Sequence, residues 1–265
     1  MTITVPYWHV DAFANSAFTG NQAAVMVLES WPDDAILQAI GAENMFAETA
    51  FLVKDASGAA DWELRWFTPT VEIRLCGHAT LASGHVMLAQ TPARDAVTFR
   101  TRQAGVLEVR RLGADYEVAL PIRAASERGW PEAEAAMGGA VREVWRNNDQ
   151  NNLFVYASEN EVRALKPDLR ALAALGEDAF VATAPGLATD VVSRVFVPGA
   201  GVDEDAVTGS AHAVLTKFWS DRLGQPSFTA FQASARGGRL TCRIEGDRAW
   251  LGGGCVTVVE GRFSF

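Results

Sequence analysis

The sequence predicts an α+β protein made of two similar halves. Three observations carry that reading: many short alternating or β-branched runs, few stretches with helical period, and one residue pattern that occurs twice, half a chain apart. With 265 residues, 49% of them hydrophobic, the chain can bury a sizeable core as one large domain or two of roughly 130 residues. A net charge of -9 leaves no basic footprint for nucleic acid or an anionic membrane surface, so the expected partner is a small molecule. Three cysteines (Cys76, Cys242, Cys255) make an odd number without close pairing, and the N-terminal MTITVPYWHVDAF lacks a basic segment followed by a long apolar one. Both point to a reducing, cytoplasmic compartment. No run approaches the roughly 18 to 20 apolar residues that span a bilayer.

In chain order, strands are expected at 7–13, 23–28, 50–54 and 61–68, then at 97–102, 106–112, 116–120, 153–157 and 194–197. The tail 239–263 reads as two or three more, turned at Glu245-Gly246-Asp247 and at Gly252-Gly253-Gly254. Helical period is found over 33–42, after Pro32, and over 162–175, where Ser158 and Glu161 form a capping box. The segment 122–139, rich in Ala, Glu and Gly, reads as a linker, giving halves 1–121 and 122–265, with the last strand free to cross back to the first half.

The repeat is the most informative feature. Arg65-Trp-Phe-Thr-Pro69 matches Arg194-Val-Phe-Val-Pro198. Each is a strand ending in proline, followed by an acidic loop and then by Cys76-Gly77-His78-Ala79 or Thr208-Gly209-Ser210-Ala211. Gly77 and Gly209 lie 132 residues apart, half the chain. Order, spacing and residue type agree together, which favours a duplication and two halves that face each other. After each glycine comes a stretch, 79–89 or 211–219, that is apolar on nearly all sides and therefore a buried helix. A glycine at the start of such a helix admits a ligand to the backbone, where free N–H groups and the positive end of the dipole favour an anion such as a carboxylate.

These residues resemble a known family. The order VDAFANSAFTGNQAAVMVL, ENMFAETAFLV, LRWFTPTVEIRLCGHATLASGHVML, DEDAVTGSAHAVLTKFW, QASARGGRL and GDRAWLGGGCVTVVEGRF is similar to the phenazine biosynthesis PhzF-like proteins over essentially the whole chain. The resemblance implies the fold of diaminopimelate epimerase: two pseudo-symmetric domains, each a curved, mostly antiparallel sheet around a central buried helix, with the active site between them. It implies a cofactor-independent isomerase that moves a proton within a small carboxylate-bearing substrate, and a homodimer.

By the same resemblance Glu48 is the general acid/base, His78 contacts substrate or relays a proton, and Asp205 binds an amine or hydroxyl or shares the proton traffic. Ser210 donates to a carboxylate beside the backbone of Gly77 and Gly209, with Cys76 and Thr208 at the same two helix starts. The chain departs from the family pattern at Ala206 and Gln22, where proline is usual. Cys76 stands where related epimerases and proline racemases carry one of two catalytic cysteines, and a helix N-terminus could lower its pKa. Its counterpart is Thr208, which disfavours a two-thiol racemase. Two alternatives stay open: a cysteine-based epimerase or dehydratase of the proline-racemase type, and a non-catalytic small-molecule-binding protein. His85 and His212 read as core residues, Cys242 and Cys255 likewise, and no compact ligand spacing suggests a metal.

Overall fold

A computed structural model of the chain describes residues 2–148 and 150–265. Its contacts divide the chain into two compact units. One runs to Leu120 and includes Gly252–Phe265, and the other is Pro121–Leu251.

The first unit contains β1 (Thr4–Ala12), β2 (Asn21–Leu28), α1 (Asp34–Asn44), β3 (Glu48–Lys54), β4 (Trp62–Phe67), β5 (Glu72–Ile73), α2 (Gly77–Gln90), β6 (Ala96–Thr101), β7 (Val106–Leu112) and β8 (Asp115–Pro121). The C-terminal strand Cys255–Ser264 pairs antiparallel with β1. From there β1/β2, β3/β4, β4/β5, β6/β7 and β7/β8 are antiparallel, while β2/β3 and β4/β6 are parallel. Inside this curved sheet lies α2, packed against β1, β2, β3, β6 and β7. Eleven of its fourteen residues are buried, as an all-round apolar sequence requires. Close approach needs Gly84, where a Cβ would lie 2.3 Å from Cγ1 of Val109 on β7.

The second unit contains β9 (Ser126–Glu127), α3 (Pro131–Met137), β10 (Glu143–Arg146), β11 (Asn151–Val155), α4 (Glu159–Ala164), α5 (Leu169–Ala173), β12 (Ala179–Pro185), β13 (Val191–Val197), β14 (Val202–Asp205), α6 (Gly209–Leu223), β15 (Ser227–Gln232), β16 (Gly238–Glu245) and β17 (Arg248–Gly253). Pairings from β10 to β16 repeat those from β1 to β7 step for step: β10/β11 antiparallel, β11/β12 parallel, β12/β13 and β13/β14 antiparallel, β13/β15 parallel, β15/β16 antiparallel. The duplication read from two short patterns therefore extends over a whole topology, with α6 in the place of α2.

Three expectations need correction. The presumed linker 122–139 is structured: Ser126–Glu127 pairs with β10, and α3 buries Ala133 and Met137 in a core with Phe154 and Phe180. The helix expected over 162–175 is two short helices, because Pro167 lacks an N–H and drives the residues before it out of the α region. Leu165, with ψ 137, is already extended. Ser158 does cap α4, but Glu161 returns its carboxylate to the N–H of Ala157, one residue earlier than a capping box prescribes. Strands β10, β12, β14 and β15 were not anticipated, nor were the two-residue strands β5 and β9. Among the described residues no helix is long and apolar enough to cross a bilayer.

Candidate functional site

Three chain segments of the first unit begin where their side chains can meet. Gly20, at φ +67, turns the chain into β2 at a point where a Cβ would lie 2.2 Å from the carbonyl oxygen of Ala12, so Asn21 opens that strand. Met45, left-handed at φ 53, ends α1 and leads to Glu48, the first residue of β3. Cys76 is the N-cap of α2. Its backbone is extended, its Sγ accepts the N–H of Ala79 at 3.4 Å, and its carbonyl accepts the hydroxyl of Thr80.

His78 sits at the centre. Its Nε2 lies 2.9 Å from Oε2 of Glu48, and its Nδ1 lies 3.2 Å from Nδ2 of Asn21 and 3.6 Å from Sγ of Cys76. The ring thus presents Nε2 to the carboxylate and Nδ1 to the Asn21 amide and the Cys76 sulfur. The side chain of His78 is 4% exposed and that of Glu48 15% exposed, so the carboxylate is the member of the pair still open to a ligand. Their approach is close but out of line for a hydrogen bond, and both Glu48 Oε2 and His78 Nε2 are buried atoms without an aligned partner.

The electrostatics agree with this geometry. Burial opposes the imidazolium of His78, yet the neighbouring Glu48 carboxylate holds its pKa well above the ordinary histidine value. Burial pushes the Cys76 thiol up to about 11, and the charge of Glu48 adds to the effect. At neutral pH the group is a thiol. The expectation that a helix N-terminus lowers this pKa is corrected, because desolvation and a nearby carboxylate outweigh the dipole.

One ligand atom from each of Glu48, Cys76 and His78 lies within 4.8 Å of the others, a grouping that sequence spacing hides. Glu48, however, faces Nε2 of the imidazole and Cys76 faces Nδ1, opposite corners of one ring. A single ion on either nitrogen loses one of the other two ligands, so the donor set fits a proton better than a metal.

In the second unit the remaining residues of interest cluster at the start of α6. Asp205, closing β14, accepts the N–H of Ala206 at 2.9 Å and the hydroxyl of Thr208 at 2.5 Å. Thr208 therefore spends its hydroxyl on Asp205 rather than on capping the helix. Gln232 locks the loop from the other side, donating to the Asp205 carbonyl at 2.7 Å and accepting the Thr208 N–H at 2.8 Å. Gly209 is buried at the first helical position, as Gly77 is in α2, and the Ser210 hydroxyl donates to Oδ1 of Asn151 at 3.4 Å. His212 is fully buried between Thr208 O and Ser193 Oγ, and burial pushes its pKa down to about 4, the core residue its context suggested.

Two pairs escaped the sequence reading. Asn21 beside His78 and Asn151 beside Ser210 occupy equivalent strand starts, each preceded by a positive-φ residue, Gly20 at φ 67 and Gln150 at φ 64. The glycine in Gly20-Asn21 was the available signal. Arg65 and Arg194, visible as a repeat but without a role, each make a two-pronged ion pair, with Glu72 and with Glu204. Each glutamate stands four residues ahead of its helix N-cap, Cys76 or Thr208. The repeated acidic loops are thus clamps that tie β5 to β4 and β14 to β13, just upstream of the site-bearing helices. The carboxylate that opens β3 has no counterpart in the second unit, since β12 carries none along Ala179–Pro185.

Comparison with known proteins gives a consistent result. The profile of the phenazine biosynthesis-like protein family, PhzC-PhzF, matches residues 10–261. An uncharacterized isomerase of Pseudomonas aeruginosa is 43% identical over 258 residues, which cover 97% of each chain. The crystal structure of a PhzF-family phenazine biosynthesis protein from Enterococcus faecalis superposes with a TM-score of 0.90 at 40% identity, covering 98% of this chain and 99% of that one. A predicted epimerase from Pseudomonas aeruginosa superposes with a TM-score of 0.71 at 19% identity over 98% of this chain and 99% of that one, and so shares the epimerase-type fold.

Proposed function

The chain belongs to the phenazine biosynthesis-like family and is an isomerase, and we propose that it moves a proton between two positions of a small carboxylate-bearing molecule, without a cofactor, with Glu48 as general acid/base. One observation carries the assignment of the base: Glu48 Oε2 and His78 Nε2 face each other at 2.9 Å, both buried and both without an aligned partner. In the first half-reaction a C–H bond of the substrate breaks, its proton forms an O–H bond on Glu48, and the electron pair moves into a new double bond. In the second the Glu48 O–H bond breaks and a new C–H bond forms at another position, so the product is an isomer and the carboxylate is regenerated. General acid/base catalysis of this kind contributes about 10² to 10⁴ in rate.

His78 holds Nε2–H toward Glu48 and fixes which oxygen receives the proton. The start of α2, at Gly77, favours the negative charge of the substrate carboxylate. Asp205, Thr208, Gly209 and Ser210 are assigned to substrate binding on the family resemblance, with Asp205 also a proton carrier. The substrate class is an amino- or hydroxy-substituted carboxylic acid. A homodimer in the cytoplasm completes the proposal, and sedimentation velocity tests the dimer.

The cysteine-based alternative is less well supported. Cys76 is held as a thiol, its sulfur accepts the Ala79 N–H, and its counterpart in the repeat is Thr208. Proton NMR in heavy water, with a panel of amino and hydroxy carboxylic acids, separates the readings. Deuterium uptake that is lost in Glu48→Gln and kept in Cys76→Ser supports the glutamate mechanism. The reverse pattern assigns the chemistry to the thiol, and binding without exchange makes the protein a non-catalytic receptor.

A further inference from the structure

The strand Cys255–Ser264 ends the sheet of the first unit. Among the described residues it pairs with β1 and with no second strand, so one of its sides is open. Which groups face that side follows from the register. Ile3 and Phe265 exchange both main-chain hydrogen bonds, at 2.8 and 2.9 Å. Bonded and non-bonded positions alternate along an antiparallel pair, so Phe263, Gly261 and Val259 turn their main-chain groups to Val5, Tyr7 and His9 of β1. Arg262 and Glu260 take the positions between, opposite Pro6, which has no N–H to give, and Trp8. Their N–H and C=O groups point away from the sheet. A bulge at Val258, where the register with β1 shifts between His9 and Val10, confines this open ladder to 259–264.

Val259, Glu260, Gly261 and Arg262 are exposed one after another, hence on both faces of the strand. A Cβ at Gly261 would meet nothing within 4 Å, and its φ is not positive, so neither packing nor conformation inside the chain calls for a glycine. A glycine within a strand marks a place where another backbone comes close. Its two neighbours carry opposite charges. Arg262 Nη2 reaches only the Thr4 carbonyl, at 3.4 Å, and the Glu260 carboxylate pairs with no cation among the described residues.

Like charges on an open edge keep copies of a protein apart, but opposite charges flanking a glycine match their own copy. When two such strands run antiparallel about a two-fold axis at Gly261, Glu260 falls opposite Arg262 of the partner subunit, and the axis repeats the pair. The same two positions carry the outward main-chain groups, so each pair also exchanges two main-chain hydrogen bonds. The glycines meet at the non-bonded place between them, where Cα atoms approach to about 4.5 Å.

We propose that residues 260–262 are the contact through which two copies of this chain join, edge to edge and antiparallel, continuing the first unit's sheet across the dimer. The proposal rests on the homodimer expected above and adds its interface and register. Sedimentation velocity on the full-length protein, on Glu260→Arg, on Arg262→Glu and on an equimolar mixture of the two variants tests it. Wild type is expected to sediment as a dimer. Each single reversal sets like charges opposite each other in both pairs and is expected to raise the dissociation constant at least about tenfold. In the mixture a chain with two arginines meets a chain with two glutamates, and a heterodimer of wild-type strength is expected, which also requires both variants to be folded.

A wild-type dimer whose dissociation constant neither reversal moves overturns the proposal and leaves the dimer to another interface. Reversals that weaken the dimer without recovery in the mixture overturn the register and the proposal with it. A wild type that stays monomeric removes the dimer and the edge contact together, whereas the role of Glu48 is judged apart from both by the heavy-water exchange.

Discussion

Near the starts of the two central helices stand two buried histidines that the protein drives in opposite directions. His212 is hydrogen-bonded to Thr208 and Ser193, and burial pushes its pKa down to about 4 from an ordinary 6.5 against the opposing pull of the Thr208 carbonyl and the Asp205 charge. The unfolded chain therefore takes up a proton that the folded chain refuses. Its contribution is complete above pH 6.5 and is lost as pH falls toward 4, on the order of 3 kcal/mol in all. His78, raised by the Glu48 carboxylate against its burial, has the opposite sign: its contribution is present below pH 6.5 and fades as pH rises through the elevated folded value. The window from 6.5 to 4 also lies above the titration of Asp61, which the Arg94 hydrogen bond lowers to about 2. Urea unfolding at pH 6.5, 5.5 and 4.5, where the contribution of His78 is constant, should show a falling stability in wild type and a flatter profile in His212→Gln, whose amide keeps a donor for Thr208. Identical slopes in the two proteins would mean that His212 is not held neutral.

At the scale of the element, α2 shows how one sequence detail serves both packing and site. Cys76→Ala removes the N-cap acceptor and is expected to cost about 1 kcal/mol, whereas Cys76→Ser keeps a capping oxygen and most of the stability. Gly84→Ala puts a methyl group 2.3 Å from Val109 Cγ1 and is expected to cost about 1 to 3 kcal/mol. Val109→Ala in the same chain should return much of that loss, and a double variant no more stable than Gly84→Ala alone would rule out the clash as its cause. Elements of this kind were legible in the sequence, since α2 and α6 are apolar all round and start at a matched glycine. What stayed hidden has physical reasons. β12 reads Ala-Phe-Val-Ala-Thr-Ala-Pro, whose small residues blur a strand pattern that parallel pairing with β11 and antiparallel pairing with β13 impose. Pro167 was in view, but helical period on both sides masked the break. In the site, Glu48, Cys76 and His78 were readable as motifs, while Asn21 became a partner of His78 only through a contact spanning 57 residues.

For the whole molecule, the two units differ in how the chain builds them. The second unit is one continuous stretch, Pro121–Leu251, whereas the first is completed by Gly252–Phe265, whose strand pairs with β1 over nearly its full length. The three cysteines report on this arrangement, with Cys76 capping α2 and Cys255 opening the last strand in the first unit, and Cys242 on β16 in the second. Burial raises the pKa of all three, although Cys255 is only half-buried where Cys76 and Cys242 are fully so; alkylation is therefore slow in the folded chain and its acceleration on opening measures local stability. Iodoacetamide labelling across a urea series, read site by site by mass spectrometry, should show Cys76 and Cys255 becoming reactive together. The reason is mechanical: release of the last strand strips β1 of a neighbour, and β1 is one of the strands on which α2 packs. Labelling of Cys255 well before Cys76 would show that the terminal strand is only appended to a unit stable without it. Joint labelling would make the strand Cys255–Ser264 part of what keeps Cys76, His78 and Glu48 in register. A truncation before Cys255 should then abolish proton exchange as thoroughly as Glu48→Gln, although that strand carries none of Glu48, Cys76 and His78.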